Sequence, residues 1–86
     1  MKQFYVAHLV FPDYVTKPFR AEMTPAQASD LARALDKRKA AGGIVDYYLG
    51  PHTEGPEWLH AQILNHKSLR QELLFLIDTE VKLRDH

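Results

Sequence analysis

The sequence of 86 residues contains no cysteine, so disulfide bonds and thiolate chemistry are excluded. Small secreted domains usually depend on disulfides, and their absence favours the cytoplasm. Acidic and basic residues are balanced at 11 each, so the chain lacks the long-range field that binders of nucleic acid or anionic membranes use. The short apolar run near the N-terminus is interrupted by His8 and Asp13, so we expect neither a signal peptide nor a membrane span.

The composition is that of an ordinary globular protein. Hydrophobic residues make up 45% of the sequence and charged residues 26%. A chain of this length can bury one hydrophobic core but not two. Neither an internal repeat nor a low-complexity tract divides it. We therefore predict a single domain over residues 1–86.

The N-terminal segment predicts a strand followed by a loop. Residues 3–11, QFYVAHLVF, are rich in β-branched and aromatic types and apolar on both alternating sets, as in a central strand. Pro12 and Pro18 lack the N–H group that a central strand needs, so 12–22 is predicted as a loop. Part of this loop could lie along a sheet edge.

A helix is predicted to begin at residue 25. Thr24 and Gln27 have the spacing of a capping box, with a proline at the first helical position between them. Basic residues at 37–39 suit the negative end of the helix dipole, and two glycines at 42–43 end the helix. The buried face is predicted from apolar residues at helical spacing: Ala28, Leu31, Ala32 and Leu35.

Two further strands are predicted around a turn-rich connection. Residues 44–49, IVDYYL, predict strand two, and GPHTEGP could close a hairpin onto strand three at 57–64. A helix beginning at Pro56 is the alternative for 56–66. The strand is preferred because the apolar residues of this segment divide into two faces at a period of two but scatter around a helical wheel.

The C-terminal part predicts a short helix and a last strand. Ser68 and Gln71 have capping-box spacing, with Leu69, Leu73 and Leu76 as the buried stripe. Apolar and charged residues then alternate over 77–84, which predicts strand four. A helix that continues to the C-terminus is the alternative for 77–84.

The predicted order is β-α-β-β-α-β, the ferredoxin-like α+β arrangement. It implies a four-stranded antiparallel sheet with strands one and three at its centre and both helices on one face.

Three segments resemble muconolactone isomerase-like proteins of the dimeric α/β-barrel superfamily: FYVAHLVFP, LARALDKRKAAGGIVDYY and IDTEVKLRDH. The resemblance covers nearly the whole chain. The resemblance implies a homodimer or higher homo-oligomer whose helix-free sheet faces pack around a cavity. It also implies an isomerase that acts without a metal or organic cofactor.

Alternation along the strands places titratable and aromatic side chains on the helix-free face. A symmetric hairpin about 50–56 sets Tyr48 opposite His60, and strand one brings His8 close to them. Imidazoles transfer protons near neutral pH, which suffices to shift a double bond in a small cyclic acid or lactone. The predicted catalytic residues are His8 and His60 as base and acid, Asp46 as orienting carboxylate and Tyr48 as hydrogen-bond donor.

The same face is predicted to bind the ligand through Phe4, Trp58 and Gln62. These residues indicate a small-molecule-binding protein, with a cofactor-independent isomerase or lyase as the enzymatic form. The alternative is a non-enzymatic interaction protein or ligand-binding regulator that uses this face. A plainer interpretation is that the titratable groups only fill a dimer interface. No metal site is predicted, because no known ligand motif relates these residues: His52, Glu57, His60 and His66.

Overall fold

The computed structural model describes residues 2–51 and 63–84. This part of the chain contains β1 (Gln3–Val10), β2 (Phe19–Met23), α1 (Pro25–Ala40), β3 (Asp46–Pro51), β4 (Ile63–Asn65) and α2 (His66–Arg84). The strands form one sheet in the order β3-β1-β2-β4. Neighbouring strands are antiparallel except β2 and β4, which are parallel.

The predicted α+β class, with four strands and two helices, is confirmed, and the architecture is compatible with a ferredoxin-like fold. The predicted antiparallel sheet and strand arrangement are wrong. A sheet position is decided by pairing between distant segments, which local sequence patterns do not encode. None of the described helices is long and apolar enough to cross a membrane.

β2 is a central strand in a stretch that the sequence predicts as a loop. It pairs with β1 on one side and β4 on the other. Pro18 directly precedes the first residue of the strand, so no proline removes an N–H group from the ladder. Phe19, Ala21 and Met23 alternate toward the core and supply the apolar face that the loop prediction overlooked.

The predicted strand three falls partly outside the described residues. Of the range 57–64, only its last two residues are described, and they belong to the short strand β4. The position beside β1 that was predicted for this strand is taken by β2.

α1 confirms the predicted helix and its capping box. Thr24 Oγ1 accepts a hydrogen bond from the Gln27 backbone N at 3.2 Å, and the Thr24 N donates to Gln27 Oε1 at 2.9 Å. The helix ends where Gly42 adopts a φ of +83°, a backbone conformation that residues with a Cβ rarely adopt. Leu31 and Leu35 are fully buried against the sheet.

α2 is one continuous helix, so the predicted strand over 77–84 is wrong and its helical alternative is confirmed. The predicted start at Ser68 is also corrected, because Asn65 Oδ1 accepts the Ser68 N–H at 2.7 Å and caps the helix. Leu69, Leu73 and Ile77 are buried at a spacing of four. This helical stripe packs against the core, whereas Leu83, which shares the period-two alternation with Ile77, is exposed.

Both helices cover one sheet face, as predicted, and share its core with Tyr5, Ala7 and Leu9 of β1. α2 lies close to the turn that follows α1, because a Cβ on Gly43 would stand 2.9 Å from Ile77 Cγ2. The Arg84 guanidinium donates to the carbonyls of both turn glycines and ties the end of α2 to this turn. Two apolar residues near this turn and at the end of α2 are exposed: Val45 (54%) and Leu83 (63%).

Candidate functional site

The helix-free sheet face carries the described residues of the predicted site. In the β1–β3 register His8 lies directly opposite Tyr48, and Val6 lies opposite Gly50. Val6 is only 2% exposed, whereas Phe4 and Tyr48 are 43% and 46% exposed. The face therefore presents exposed aromatic rings around a buried aliphatic floor.

His8 and Tyr48 form a stacked pair, with ring centroids 5.4 Å apart and an interplanar angle of 13°. Gly50 makes room for this arrangement, because a Cβ there would lie 2.8 Å from Tyr48 Cζ. The phenol ring thus lies flat along its own strand beside the imidazole. The histidine that lies beside Tyr48 in the described residues is His8, on the neighbouring strand β1.

The imidazole of His8 is oriented by stacking and not by a hydrogen bond at Nδ1. This atom is buried and has no hydrogen-bond partner among the residues that the structure describes. Histidine tautomers are usually set by the bond that one ring nitrogen makes. Among the described residues, no bond at Nδ1 determines which nitrogen of His8 carries the proton.

Asp46 is directed away from this pair. Its carboxylate accepts hydrogen bonds from the Tyr47 backbone N at 2.8 Å and from Lys39 Nζ at 3.2 Å. The backbone hydrogen bond first, and then Lys39, hold the pKa of Asp46 below its usual value. The side chain therefore links β3 to the end of α1, and among the described residues it makes no hydrogen bond with a histidine.

The remaining predicted site residues, Trp58, His60 and Gln62, lie outside the described residues. The same holds for His52 and Glu57 of the metal set that the sequence analysis considered. Within the part of the chain that is described, no group of three or more potential metal ligands comes together.

A groove that the sequence analysis missed lies on the helix side of the sheet. It has a volume of about 1040 Å³ and runs between the loop of residues 14–18 and one flank of α2. We call it the α2 groove, and its apolar lining consists of Tyr14, Pro18, Phe19, Leu64, Phe75 and Leu76. The sequence feature that could have indicated this groove is Phe75, an aromatic residue that lies outside the buried stripe of α2. Phe75 is 66% exposed.

The loop that forms one wall of the α2 groove is hydrogen-bonded to the C-terminal end of β1 and the residue that follows it. Backbone hydrogen bonds join Phe11 N to the Tyr14 carbonyl at 2.8 Å and Thr16 N to the Leu9 carbonyl at 2.9 Å. The Tyr14 hydroxyl donates to Glu80 Oε1 of α2 at 2.9 Å. This contact joins the loop to α2.

Comparison with known proteins finds no matching family model, no matching curated protein and no matching solved structure.

Proposed function

We propose that the protein binds a small cyclic organic acid or lactone on its helix-free sheet face. The observation that supports this function is the stacked His8–Tyr48 pair, whose phenol ring is half exposed above a buried floor. A flat ring can stack on an exposed aromatic side chain, and the neighbouring imidazole can donate to or accept from a carboxylate or carbonyl oxygen. These are the contacts that small-molecule sites typically combine.

Binding is favoured over catalysis by the position of Asp46. Its carboxylate is bound to Lys39 on the helix side of the molecule and does not orient His8. His8 and Tyr48 supply one imidazole and one phenol, which suffice for recognition. A ligand-binding regulator accounts for them without a second acid or base.

Proton transfer is the second candidate, and the imidazole of His8 beside the half-exposed Tyr48 ring is the group that would carry it. An imidazole whose tautomer is not set by a partner can remove a proton from the carbon beside a carbonyl. Its conjugate acid can then return the proton at the far end of the shifted double bond, so that no group is gained or lost. This is the isomerase activity that the resemblance to muconolactone isomerase-like proteins implies.

The binding proposal is tested with His8→Phe, which keeps a ring in the stack but removes both nitrogens. We expect wild type to bind members of a panel of small cyclic acids and lactones, starting with benzoate, in ligand-observed NMR. We expect His8→Phe to weaken binding about tenfold, the effect of losing one hydrogen bond to a charged group. Tyr47→Phe, on the helix side of the same strand, is the matched control and should bind as wild type does.

Equal binding by wild type and a folded His8→Phe variant would exclude this face as the site. The catalytic candidate has its own readout with the same proteins. If His8 transfers protons, bound lactones will exchange hydrogen for deuterium beside the carbonyl in D₂O, and His8→Phe will stop the exchange. Binding without exchange would leave the regulator function and remove the isomerase.

A further inference from the structure

The α2 groove has the size and the chemistry of a second binding site. Its volume of about 1040 Å³ lies at the upper end of the range that small-molecule sites occupy. Phe19 and Leu64 line it from the helix-covered side of the sheet. The groove is therefore separated by the sheet from the His8–Tyr48 pair, and the two sites can be tested independently.

The lining of the groove favours a ligand with an aromatic or bulky aliphatic body. Phe19, Leu64 and Leu76 pack against the core and form an apolar floor, while the ring of Phe75 stands 66% exposed above it. An aromatic ring bound here can pair edge-to-face or offset with these side chains. The Tyr14–Glu80 hydrogen bond keeps the two walls together before a ligand arrives, so little ordering is needed on binding.

The two walls carry opposite charges. Lys17 lies on the loop wall and Glu72 on the α2 wall, and both side chains belong to exposed residues that line the groove. Within the described part of the chain, neither residue forms a salt bridge. A bound anion alone would be repelled by Glu72, and a bound cation alone by Lys17. A zwitterion carries one charge of each sign and can therefore pair with both Lys17 and Glu72.

We infer that the α2 groove binds an apolar α-amino acid. Its carboxylate pairs with Lys17, its ammonium group pairs with Glu72, and its side chain lies on the apolar floor. Ser68 and Gln71 also line the groove and offer neutral hydrogen-bonding groups to the same polar end of the ligand. This site goes beyond the proposed function, because it uses another surface and another class of ligand.

The test compares three probes that share a phenylethyl body and differ in their charged groups. L-Phenylalanine carries both groups, hydrocinnamate lacks the ammonium group, and phenethylamine lacks the carboxylate. Binding is followed by NMR chemical-shift changes of the labelled protein. We expect L-phenylalanine to bind most tightly and to shift the resonances of Phe19, Leu64 and Leu76. Binding of an aromatic carboxylate at the helix-free face would shift His8 and Tyr48 instead, so the two sites are distinguished by which set of resonances moves.

Charge-removing variants connect each wall to one end of the ligand. Lys17→Gln should weaken the binding of L-phenylalanine and hydrocinnamate about two- to fivefold, as for other exposed ion pairs. It should leave the affinity for phenethylamine unchanged. Glu72→Gln should weaken the binding of L-phenylalanine and phenethylamine by a similar factor and leave the affinity for hydrocinnamate unchanged. Lys37→Gln, which removes an exposed charge from α1, is the control and should bind all three probes as wild type does.

Two results would overturn the inference. One is the absence of groove shifts with L-phenylalanine at concentrations up to about 10 mM, beyond which affinity falls below that of specific sites. The other is equal binding of the three probes to wild type and to both variants, since apolar contact alone would then explain it.

Discussion

Tyr47 and Tyr48 are neighbours in β3, yet their side chains lie on opposite faces of the sheet because strand side chains alternate. Tyr48 stacks on His8 on the helix-free face. Tyr47 faces the helices, where its hydroxyl donates to Asp36 Oδ1 of α1 at 2.7 Å. Burial first, and then the Asp36 carboxylate, raise the pKa of Tyr47 to about 12.

This raised pKa predicts a stability change at high pH. The ordinary tyrosine pKa is 10.0, so between pH 10 and about 12 the folded protein holds a proton that the unfolded chain has lost. The stability that Tyr47 contributes is fully present below pH 10 and is lost as the pH rises toward about 12. We expect the free energy of unfolding of wild type to fall more steeply across this window than that of Tyr47→Phe.

Urea unfolding at a series of pH values measures this difference. Asp36→Asn removes the carboxylate but leaves the burial of the phenol, so its slope should lie between those of wild type and Tyr47→Phe. Identical slopes for wild type and Tyr47→Phe would show that the phenol does not titrate differently in the folded protein.

α2 illustrates how one helix can resemble a helix followed by a strand. Leu69, Leu73 and Ile77 form a stripe at a spacing of four, and Val81 extends it against the core. The odd positions from 77 to 83 also alternate with charged residues, which is typical of a strand. Helix packing against α1 and the sheet decides between the two patterns, because it buries the stripe at Ile77 and leaves Leu83 exposed.

The helix and the strand predict different effects of truncation. In a strand, Ile77 and Leu83 would share one buried face, whereas in α2 only Ile77 is buried. We expect Ile77→Ala to lower the free energy of unfolding by about 2–5 kcal/mol. Leu83→Ala is the matched control and should change it by less than about 0.5 kcal/mol. Comparable losses in chemical denaturation of the two variants would contradict the helical assignment.

The balanced charge and the exposed aromatic face together predict how copies of the chain associate. With 11 acidic and 11 basic residues, no net field drives or opposes association. The helix-free face exposes nearly half of Phe4 and of Tyr48. We therefore expect a homodimer through this face, with an affinity that does not fall at high salt.

Phe4→Ser should weaken dimerisation by about 2 kcal/mol or more, as for other aromatic residues central to an interface. Phe75→Ser, which removes an exposed aromatic ring from the α2 groove, is the control and should leave the dimer intact. Sedimentation at several ionic strengths measures both effects. A dimer disrupted by Phe75→Ser and not by Phe4→Ser would move the interface to α2.

The part of the candidate site that could be predicted depends on alternation within single strands. His8 and Tyr48 were expected on the helix-free face, and the period of two was enough for this. Their direct pairing was not predicted, because register depends on which strand becomes the neighbour. The expected hairpin partner of Tyr48, His60, lies outside the described residues.

The sequence by itself determined α1, β1 and the α+β class, because capping, helix dipole and alternation act within a few neighbouring residues. The tertiary structure alone decided that β2 is central, that α2 is continuous and that Asp46 turns to Lys39. It also created the α2 groove from the loop of residues 14–18 and a helix far along the chain. The place of β2, the continuity of α2 and the groove follow from burial between distant segments, which no local pattern contains.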